Sequence, residues 1–271
     1  MPRRALVILI VAALLALVSI PGTAAFLADL WFFREIGYQV VFTREIATRF
    51  ALFLGVGGFA IATLYLNLRL AQRGVVPDPV VFRLGGPRAA GVNLTGMLRR
   101  LSFPTALGFG VLIGLGAMAS WDVALQAIHQ VPFGIPDPVF GRDVGYYVFL
   151  LPAISTLLGL LSGLVSVALL LVVPVYFFRG DIIVRPRQLR IEPSAGLHLA
   201  VLIASLFVLT AIRHWLVSIP GLLYSTTGPM VGASYTDLHA TLPALRVSAV
   251  LALGVAVAVL IGAARGKLAW H

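Results

Sequence analysis

The chain has 271 residues, of which 60% are hydrophobic and only 11% are charged, whereas an ordinary soluble domain has about 45–50% apolar and about 25% charged residues. This composition excludes an ordinary soluble domain and predicts an integral membrane protein. The 20 basic and 10 acidic residues give a net charge of +10. The absence of cysteine excludes disulfides, thiolate nucleophiles and cysteine-bound metals.

Long apolar stretches define the predicted fold. A helix of about 20 mostly apolar residues crosses the roughly 30 Å of hydrocarbon in a bilayer, and six stretches of the chain meet this requirement. The predicted spans cover approximately residues 5–28, 50–68, 101–121, 150–174, 194–212 and 246–264. The sequence therefore predicts an all-α polytopic transmembrane helical bundle, a single domain over residues 1–271 with short interfacial helices.

The first predicted span has a second interpretation. Arg3 and Arg4, an apolar run and then Thr23-Ala24-Ala25 are also typical of a secretory signal with a small-residue cleavage site. The apolar run exceeds the roughly 7–15 residues usual for such a signal. A span is therefore the favoured interpretation, and the orientation of the other five spans is the same in both.

The fourth apolar stretch, residues 144–178, is too long for one upright crossing, because it would measure about 52 Å as a helix. Pro152 suits the first turn of a helix and Pro174 suits a helix end. We therefore expect a span between these two prolines, with aromatic residues at each membrane interface.

Basic residues are unequally distributed between alternate connections of the predicted spans. The two termini and the second and fourth loops contain fourteen of the 20 basic residues, and the other connections contain six. Because basic residues are retained on the cytoplasmic side, we predict a multi-pass protein of the bacterial inner membrane with both termini in the cytoplasm. The asymmetry also favours anionic lipid headgroups at the cytoplasmic face as partners and makes nucleic-acid binding unnecessary.

Small residues recur every fourth position in two predicted spans. In a membrane such residues allow close approach of helix backbones. The spacing favours packing within the chain and leaves open a contact face for another subunit. The two sets are Ala106, Gly110 and Gly114 in the third span, and Ser155, Gly159 and Gly163 in the fourth.

Three segments on the predicted outer face carry aromatic, charged and proline residues. The first, Asp29–Tyr38, has the composition of a helix in the membrane interface, and Glu45 and Arg49 follow it at a spacing that forms an ion pair in a helix. The segment Trp121–Val144 reads as extended or turned because of its prolines. The third segment is Tyr224–Pro243.

These segments resemble a large bacterial membrane-protein family of unassigned function, uncharacterised protein family 0182. The resemblance rests on motifs in the three outer segments, covers most of the chain and corresponds to the N-terminal membrane region of the family. The resemblance implies several membrane spans. Members of the family typically add another span and a long extracytoplasmic region, and the family offers no established catalytic residue to transfer. The motifs are Leu30-Trp31-Phe32 with Gly37-Tyr38 and Val41-Phe42; Asp137-Pro138-Phe140 with Asp143-Val144 and Tyr147-Val148-Phe149-Leu151-Pro152; and Gly232-Ala233-Ser234-Tyr235-Thr236-Asp237 with His239.

A cluster of polar residues on the predicted outer face is a candidate site. It consists of Asp137, Asp143, Asp237 and His239. Oxygen ligands suit Ca²⁺ or Mg²⁺ and imidazole suits transition metals, but the spacing matches no known metal loop. Asp-Pro turns and helix caps explain these residues more simply. We therefore predict no metal site and no catalytic residue, and no motif identifies a cofactor.

The favoured function is a structural or accessory subunit that packs within a larger membrane complex. A transporter or channel is the alternative, with discontinuous helices around Pro104, Pro152 and Pro174 lining a pathway. An enzyme is third because catalytic motifs are absent. Aromatic side chains supply large contact areas, so the predicted partner contacts are Trp31, Phe33, Tyr38, Tyr146, Tyr147 and Tyr235.

Few ionisable residues lie inside the predicted spans, which weakens the case for a proton-coupled transporter. Asn67 and His198 both lie near the cytoplasmic ends of their spans. His198 is shallow enough there to reach lipid headgroups or a neighbouring carbonyl.

Overall fold

The structure is a computed structural model that describes residues 3–73, 81–82, 92–185, 188–226 and 231–266. It is almost entirely helical, and the predicted all-α polytopic bundle is confirmed. The helices are α1 (Arg3–Glu35), α2 (Gln39–Ala71), α3 (Leu94–Met118), α4 (Trp121–Ile128), α5 (Leu151–Arg179), α6 (Pro193–Arg213), the single turn α7 (Ile219–Gly221) and α8 (Leu242–Ala264).

Five helical segments in the described residues are long and apolar enough to cross a membrane. They are Gln39–Ala71, Gly96–Met118, Tyr146–Arg179, Pro193–Tyr224 and Asp237–Ala264. Three of them, Gln39–Ala71, Tyr146–Arg179 and Pro193–Tyr224, extend beyond both predicted ends, because our prediction stopped each span near a charged residue whereas a helix continues wherever its backbone stays hydrogen-bonded. The first predicted span falls within α1, where the side chains of residues 3–16 lie outside the described part, so it stays a prediction.

Two helices differ from the sequence prediction at prolines. Pro174 was predicted as a helix end, but it lies inside α5, which ends five residues later at Arg179 and is followed by Gly180 in a left-handed conformation (φ 78°). Pro104 likewise lies inside the continuous helix α3. Pro152 does occupy the first turn of α5 as predicted. The discontinuities at Pro104 and Pro174 on which the transporter alternative depends are therefore absent from the described helices.

Residues 1–51 form one compact unit and residues 52–271 a second. In the first unit α1 runs without interruption through the aromatic segment that we expected as a separate interfacial helix. It ends at a turn in which Gly37 has φ 79°. Phe42 is buried there against Phe26 and Phe33, at ring-centroid distances of 5.3 and 5.7 Å.

The second unit has its main core where α2, α3, α5 and α6 meet. Every third or fourth residue of α2 faces this core, as expected for one face of a helix. The buried members are Ala60, Leu64, Leu68 and Ala71 of α2, Ala106 of α3, Leu164, Ala168, Val172, Val175 and Tyr176 of α5, and Ala195, Leu199 and Leu202 of α6. A smaller cluster joins α6 to α8 through Ala211, Ala249 and Ala252.

Two antiparallel hairpins, absent from the sequence prediction, interrupt the helical fold. Strand β1 (Val81–Phe82) pairs with β2 (Val92–Asn93), and β3 (Ile182–Arg185) pairs with β4 (Gln188–Ile191), with Ile182 opposite Ile191. Within the second unit we call the end that carries residues 182–191 the hairpin end. The opposite end, with residues 129–145 and 231–236, is the loop end.

At the loop end the predicted irregular segment Trp121–Val144 is helical in its first eight residues, which form α4. The rest of it is extended or turned, as predicted. Three π-helical turns lie at this end, Tyr146–Leu150 before α5, His214–Ser218 after α6 and Asp237–Thr241 before α8. π-Helical turns are rare in proteins, and those that occur are often found at functional sites.

Candidate functional site

Residues 129–145, which we call the Asp loop, are organised around the buried carboxylate of Asp137. It accepts hydrogen bonds from the backbone N–H groups of Val139 (2.8 Å), Phe140 (2.6 Å) and Arg142 (2.8 Å). It also accepts one from the Tyr147 hydroxyl, at 2.7 Å. With 7% of its surface exposed, this carboxylate is a structural acceptor with no lone pair aimed at an outside ligand.

The charge of Asp137 is stabilised by these donors. Burial alone would raise its pKa, but the hydrogen bonds from Phe140, Tyr147, Arg142 and Val139 together outweigh burial and hold the pKa below its ordinary value. A general acid needs a raised pKa near the working pH. The environment of Asp137 therefore suits a permanent anion.

Asp143 closes the same loop through its backbone neighbours. Its carboxylate accepts from the N–H groups of Phe133 (3.1 Å), Gly134 (2.7 Å) and Gly145 (2.7 Å). The bonds from Phe133 and Gly145 are the main reason why its pKa is lowered. At Gly145 a Cβ atom would lie 2.8 Å from the Asp143 carboxylate and 2.9 Å from the carbonyl oxygen of Val131, so the close approach requires glycine.

Two tyrosines attach the Asp loop to the helices. The Tyr146 hydroxyl donates to the carbonyl oxygen of Leu216, at 2.7 Å, and so joins the first π-helical turn to the second. The ring of Tyr147 lies 6.1 Å from that of Tyr224. The guanidinium of Arg142 lies over the Tyr146 ring at 4.3 Å. The loop is therefore fixed to α5 and to the end of α6.

The other half of the predicted polar cluster serves the start of α8. Asp237 accepts from both the N–H (3.0 Å) and the hydroxyl (2.8 Å) of Ser234, and the Ser234 oxygen accepts from the Asp237 N–H at 3.2 Å. This reciprocal pattern is typical of a helix cap. His239 contacts Tyr235, with its Nδ1 3.0 Å from the carbonyl oxygen and the two rings stacked at 3.9 Å.

The structure thus places Asp137 and Asp143 in one loop and gives Asp237 and His239 separate local partners. In the described ranges, no three His, Asp or Glu side chains come together as a group that could hold a metal ion. Ser234 donates to a carboxylate instead of a histidine, so it lacks the adjacent base that activates a serine nucleophile.

The predicted aromatic contacts divide into two groups. Tyr147 is buried, with 4% of its surface exposed, and Tyr146 and Phe33 are partly buried against neighbours in the chain. Trp31, Tyr38 and Tyr235 are exposed. The first group contributes to the internal packing, and the second group remains as predicted contact residues.

A hydrogen-bonded network at the hairpin end links three helices. Asn67 donates through Nδ2 to the Thr63 carbonyl (2.8 Å), so its Oδ1 accepts from Nε2–H of His198 at 2.9 Å. Nδ1 of His198 then accepts from the Tyr176 hydroxyl at 2.8 Å. The sequence placed Asn67 and His198 near the same ends of their predicted spans. It did not predict their contact, because the two residues are 131 positions apart in the chain.

Arg179 makes a second set of polar contacts at the end of α5. Its Nη1 donates to the carbonyl oxygen of Ala71 (2.8 Å), the last residue of α2, and its Nε lies 3.1 Å from the Asp181 carboxylate. Burial raises the pKa of Asp181, although Arg179 opposes this shift. Arginine near a helix C-terminus also interacts favourably with the helix dipole. The residues form a structural tie between α2 and α5.

The two small-residue faces have different surroundings. On α3, a Cβ at Gly114 would lie 2.9 Å from the carbonyl oxygen of Phe53, and one at Gly110 would meet the backbone and side chain of Ile61 on α2. On α5, a Cβ at Gly163 would meet no atom within 4 Å, and one at Gly159 would lie 4.0 Å from Nη1 of Arg213. The α3 face is therefore filled by the chain's own α2.

Arg213 is the last residue of α6 and Arg246 lies in α8, and both are exposed. Ala211 packs near Ala249, so the two arginines, two residues beyond Ala211 and three before Ala249, leave α6 and α8 at similar levels. Among the described residues neither pairs with a carboxylate, since the ion pairs there are Arg49–Glu45, as predicted, and Arg179–Asp181. A prediction that ends each span at a charged residue cannot identify charged residues that lie on the helix itself.

These features define a polytopic α-helical membrane protein in which the polar residues described above, at the loop end, bond to groups of their own chain. The chain belongs to the Uncharacterised protein family (UPF0182), whose model matches residues 6–271, and the predicted resemblance is confirmed. No solved structure matches the chain.

Similar proteins occur in several bacteria. The chain is 35% identical to a UPF0182 protein of Cupriavidus necator over 92% of its length and 27% of the relative. It is 33% identical to one of Pelobacter propionicus over 99% of its length and 30% of the relative. A UPF0182 protein of Geobacter sulfurreducens is 32% identical, over 91% and 28% respectively. The chain thus spans less than a third of the length of these relatives.

Proposed function

We propose that this chain is a structural or accessory subunit that packs within a larger complex of the bacterial inner membrane. In this proposal the hairpin end and both termini face the cytoplasm, where exposed arginines such as Arg99, Arg100 and Arg190 contact anionic headgroups. The Asp loop then faces outward and carries the contact with a partner subunit.

The observation that carries this proposal is the combination of a rigid backbone with exposed apolar side chains in the Asp loop. Asp137 and Asp143 fix the loop through six backbone hydrogen bonds, and Tyr146 attaches it to the π-helical turn after α6. Val131 and Ile135 nevertheless have 62% and 63% of their surfaces exposed. Large exposed apolar patches mark interaction sites, and a pre-organised loop loses little entropy on binding.

The two carboxylates support this assignment over an enzyme or a metal site. Each accepts several donors from its own loop, and the pKa of each is lowered, so both act as fixed acceptors. Their arrangement stabilises a surface and provides no group with a proton to exchange near neutral pH.

The test is extraction in mild detergent from the native bacterium followed by native mass measurement of the intact chain. We expect stoichiometric partner proteins with the unaltered chain and their loss when Val131→Asp and Ile135→Asp are combined. Val184→Asp changes an equally exposed apolar residue at the hairpin end (68% exposed) and should keep the partners. A lone chain without partners, or equal loss in both variants, would contradict the proposal.

The alternative of a transporter or channel has lost its main support. It relied on discontinuous helices around three prolines, but α3 and α5 run through Pro104 and Pro174, and Pro152 lies at the start of α5. Solute or ion flux in vesicles reconstituted with the purified chain would nevertheless decide for this alternative.

A further inference from the structure

The hairpin formed by β3 and β4 has two different faces. Side chains of a strand alternate between the two faces of a sheet, and Ile182 pairs with Ile191 across this hairpin. Both of these side chains pack against the main core of the second unit. Val184 follows Ile182 by two residues in β3, so it lies on the same, core-facing side of the hairpin.

This apolar face continues beyond the part of the bundle that covers it. Ile182 and Ile191 are partly buried, whereas Val184 has 68% of its surface exposed. The opposite face carries Arg190, which is exposed and pairs with Ile183 in the register of the hairpin. The hairpin is therefore amphipathic, and the described residues leave its apolar face open at Val184.

The base of the hairpin is held at the level where two membrane-spanning segments end. One of these segments ends at Arg179 and the next begins at Pro193. The guanidinium of Arg179 pairs with the Asp181 carboxylate at 3.1 Å, and the N–H of Glu192 donates to the Asp181 carbonyl oxygen at 2.8 Å. The hairpin is therefore tied on both sides to the surface of the membrane.

The length of the hairpin limits how it can lie at this surface. Each strand has four residues and extends about 13 Å, whereas the headgroup layer of one leaflet is only about 5–8 Å thick. An upright hairpin would carry its apolar face through the headgroups into water. A hairpin that lies along the surface keeps this face toward the hydrocarbon, because the same face packs against the ends of the spanning helices at Ile182 and Ile191.

We propose that the β3–β4 hairpin lies in the interface of an anionic bilayer, with Val184 inserted below the headgroups and Arg190 in contact with their phosphates. Residues 179–192 contain four arginines and two acidic residues, so the charge of the segment favours anionic lipid. Amphipathic elements bind a membrane interface through buried apolar area together with attraction to such lipids. The contact requires neither a partner subunit nor a particular orientation of the chain in the membrane.

The experiment attaches a nitroxide spin label to single cysteines of the purified chain, which has no native cysteine, in vesicles that contain phosphatidylglycerol. Ile183→Cys and Val184→Cys place the label at adjacent positions on opposite faces of the hairpin. We expect the label at position 184 to collide mainly with oxygen, which concentrates in lipid, and the label at position 183 to collide mainly with a water-soluble nickel complex. Val250→Cys, at an exposed residue within α8, is the reference for a position that faces lipid.

Three further variants test the contact between Arg190 and the headgroups. Arg190→Gln should lower the ratio of inserted to water-exposed label at position 184 about fivefold in phosphatidylglycerol vesicles, since one arginine near the surface supplies about that preference for anionic lipid. Arg190→Lys should retain the ratio. Arg246→Gln removes the same charge near the start of α8, at the loop end, and should leave the ratio unchanged. Circular dichroism verifies that each variant keeps its helical fold.

Equal access of the nickel complex to positions 183 and 184 would overturn the proposal, because the hairpin would then stand in water. Protection of position 184 from both reagents would overturn it as well, since protein would then cover the apolar face. Equal losses in Arg190→Gln and Arg246→Gln would indicate general attraction to charge and would also contradict it. The measurement uses the chain alone, so its outcome does not depend on whether a partner subunit binds the Asp loop.

Discussion

The loop end and the hairpin end of the bundle satisfy their polar groups in different ways. At the loop end, the carboxylates of Asp137 and Asp143 are bonded mainly to backbone groups within ten residues along the chain. At the hairpin end, the His198 and Asn67 side chains meet across 131 residues, and the Arg179 side chain donates to the Ala71 carbonyl oxygen across 108. Local bonds shape a loop, whereas the distant bonds determine which helices are neighbours.

The largest loss of stability is expected from removing the buried Asp137 carboxylate, which accepts hydrogen bonds from four donors. Asp137→Ala leaves three backbone N–H groups and the Tyr147 hydroxyl without their acceptor, and should lower the free energy of unfolding by about 3 kcal/mol. The measurement is unfolding in a denaturing detergent. Asp122→Ala, at an exposed aspartate in the first turn of α4, should have a much smaller effect. Equal losses of stability in the two variants would contradict a special structural role of Asp137 in the Asp loop.

The second largest loss of stability is expected at the close contact between the backbones of α2 and α3. Gly114→Ala places a Cβ 2.9 Å from the carbonyl oxygen of Phe53, and because backbone must shift, we expect a loss of about 2 kcal/mol. Gly163→Ala meets open space in the described structure and should leave stability unchanged or slightly raised, since alanine favours helix. The same unfolding assay compares the two. A destabilising Gly163→Ala would indicate that this face is also packed.

The hairpin-end network should show a smaller coupling. In a double-mutant cycle of His198→Phe and Asn67→Leu we expect a coupling energy of about 1 kcal/mol, because hydrogen bonds within membranes contribute little net stability. The cycle of Asn67→Leu with His239→Phe is the control, since His239 has only local contacts with Tyr235. Similar values in both cycles would show that the network does not couple α2 to α6.

The smallest effect is expected from pH. The folded-state pKa values of Asp137 and Asp143 lie below the ordinary value of 3.8. Their stabilisation is therefore complete above pH 3.8 and is lost only as the pH falls through the lower folded-state values. Tyrosine circular dichroism of the chain in detergent should stay constant from about pH 7 to 5 and change below about pH 4. A transition near pH 6 would contradict the assigned environments.

Several sequence predictions depended on local order and were confirmed. Glu45 and Arg49 form the ion pair expected at that spacing in a helix, at 2.6 Å. Pro152 lies in the first turn of α5, and Asp237 forms a reciprocal cap with Ser234 at the helical turn that leads into α8. Each depends on residues within one or two turns, and such interactions are set by backbone geometry alone.

Composition and apolar length by themselves determined that this is an all-α membrane bundle, because hydrocarbon requires every spanning backbone group to be bonded within its own helix. Only the tertiary structure decided that Asn67 contacts His198, that Arg179 contacts Ala71, and that α2 fills one small-residue face. These features depend on which helices are neighbours, and helix pairing in a membrane follows from shape and from a few polar contacts that a periodic apolar sequence does not encode.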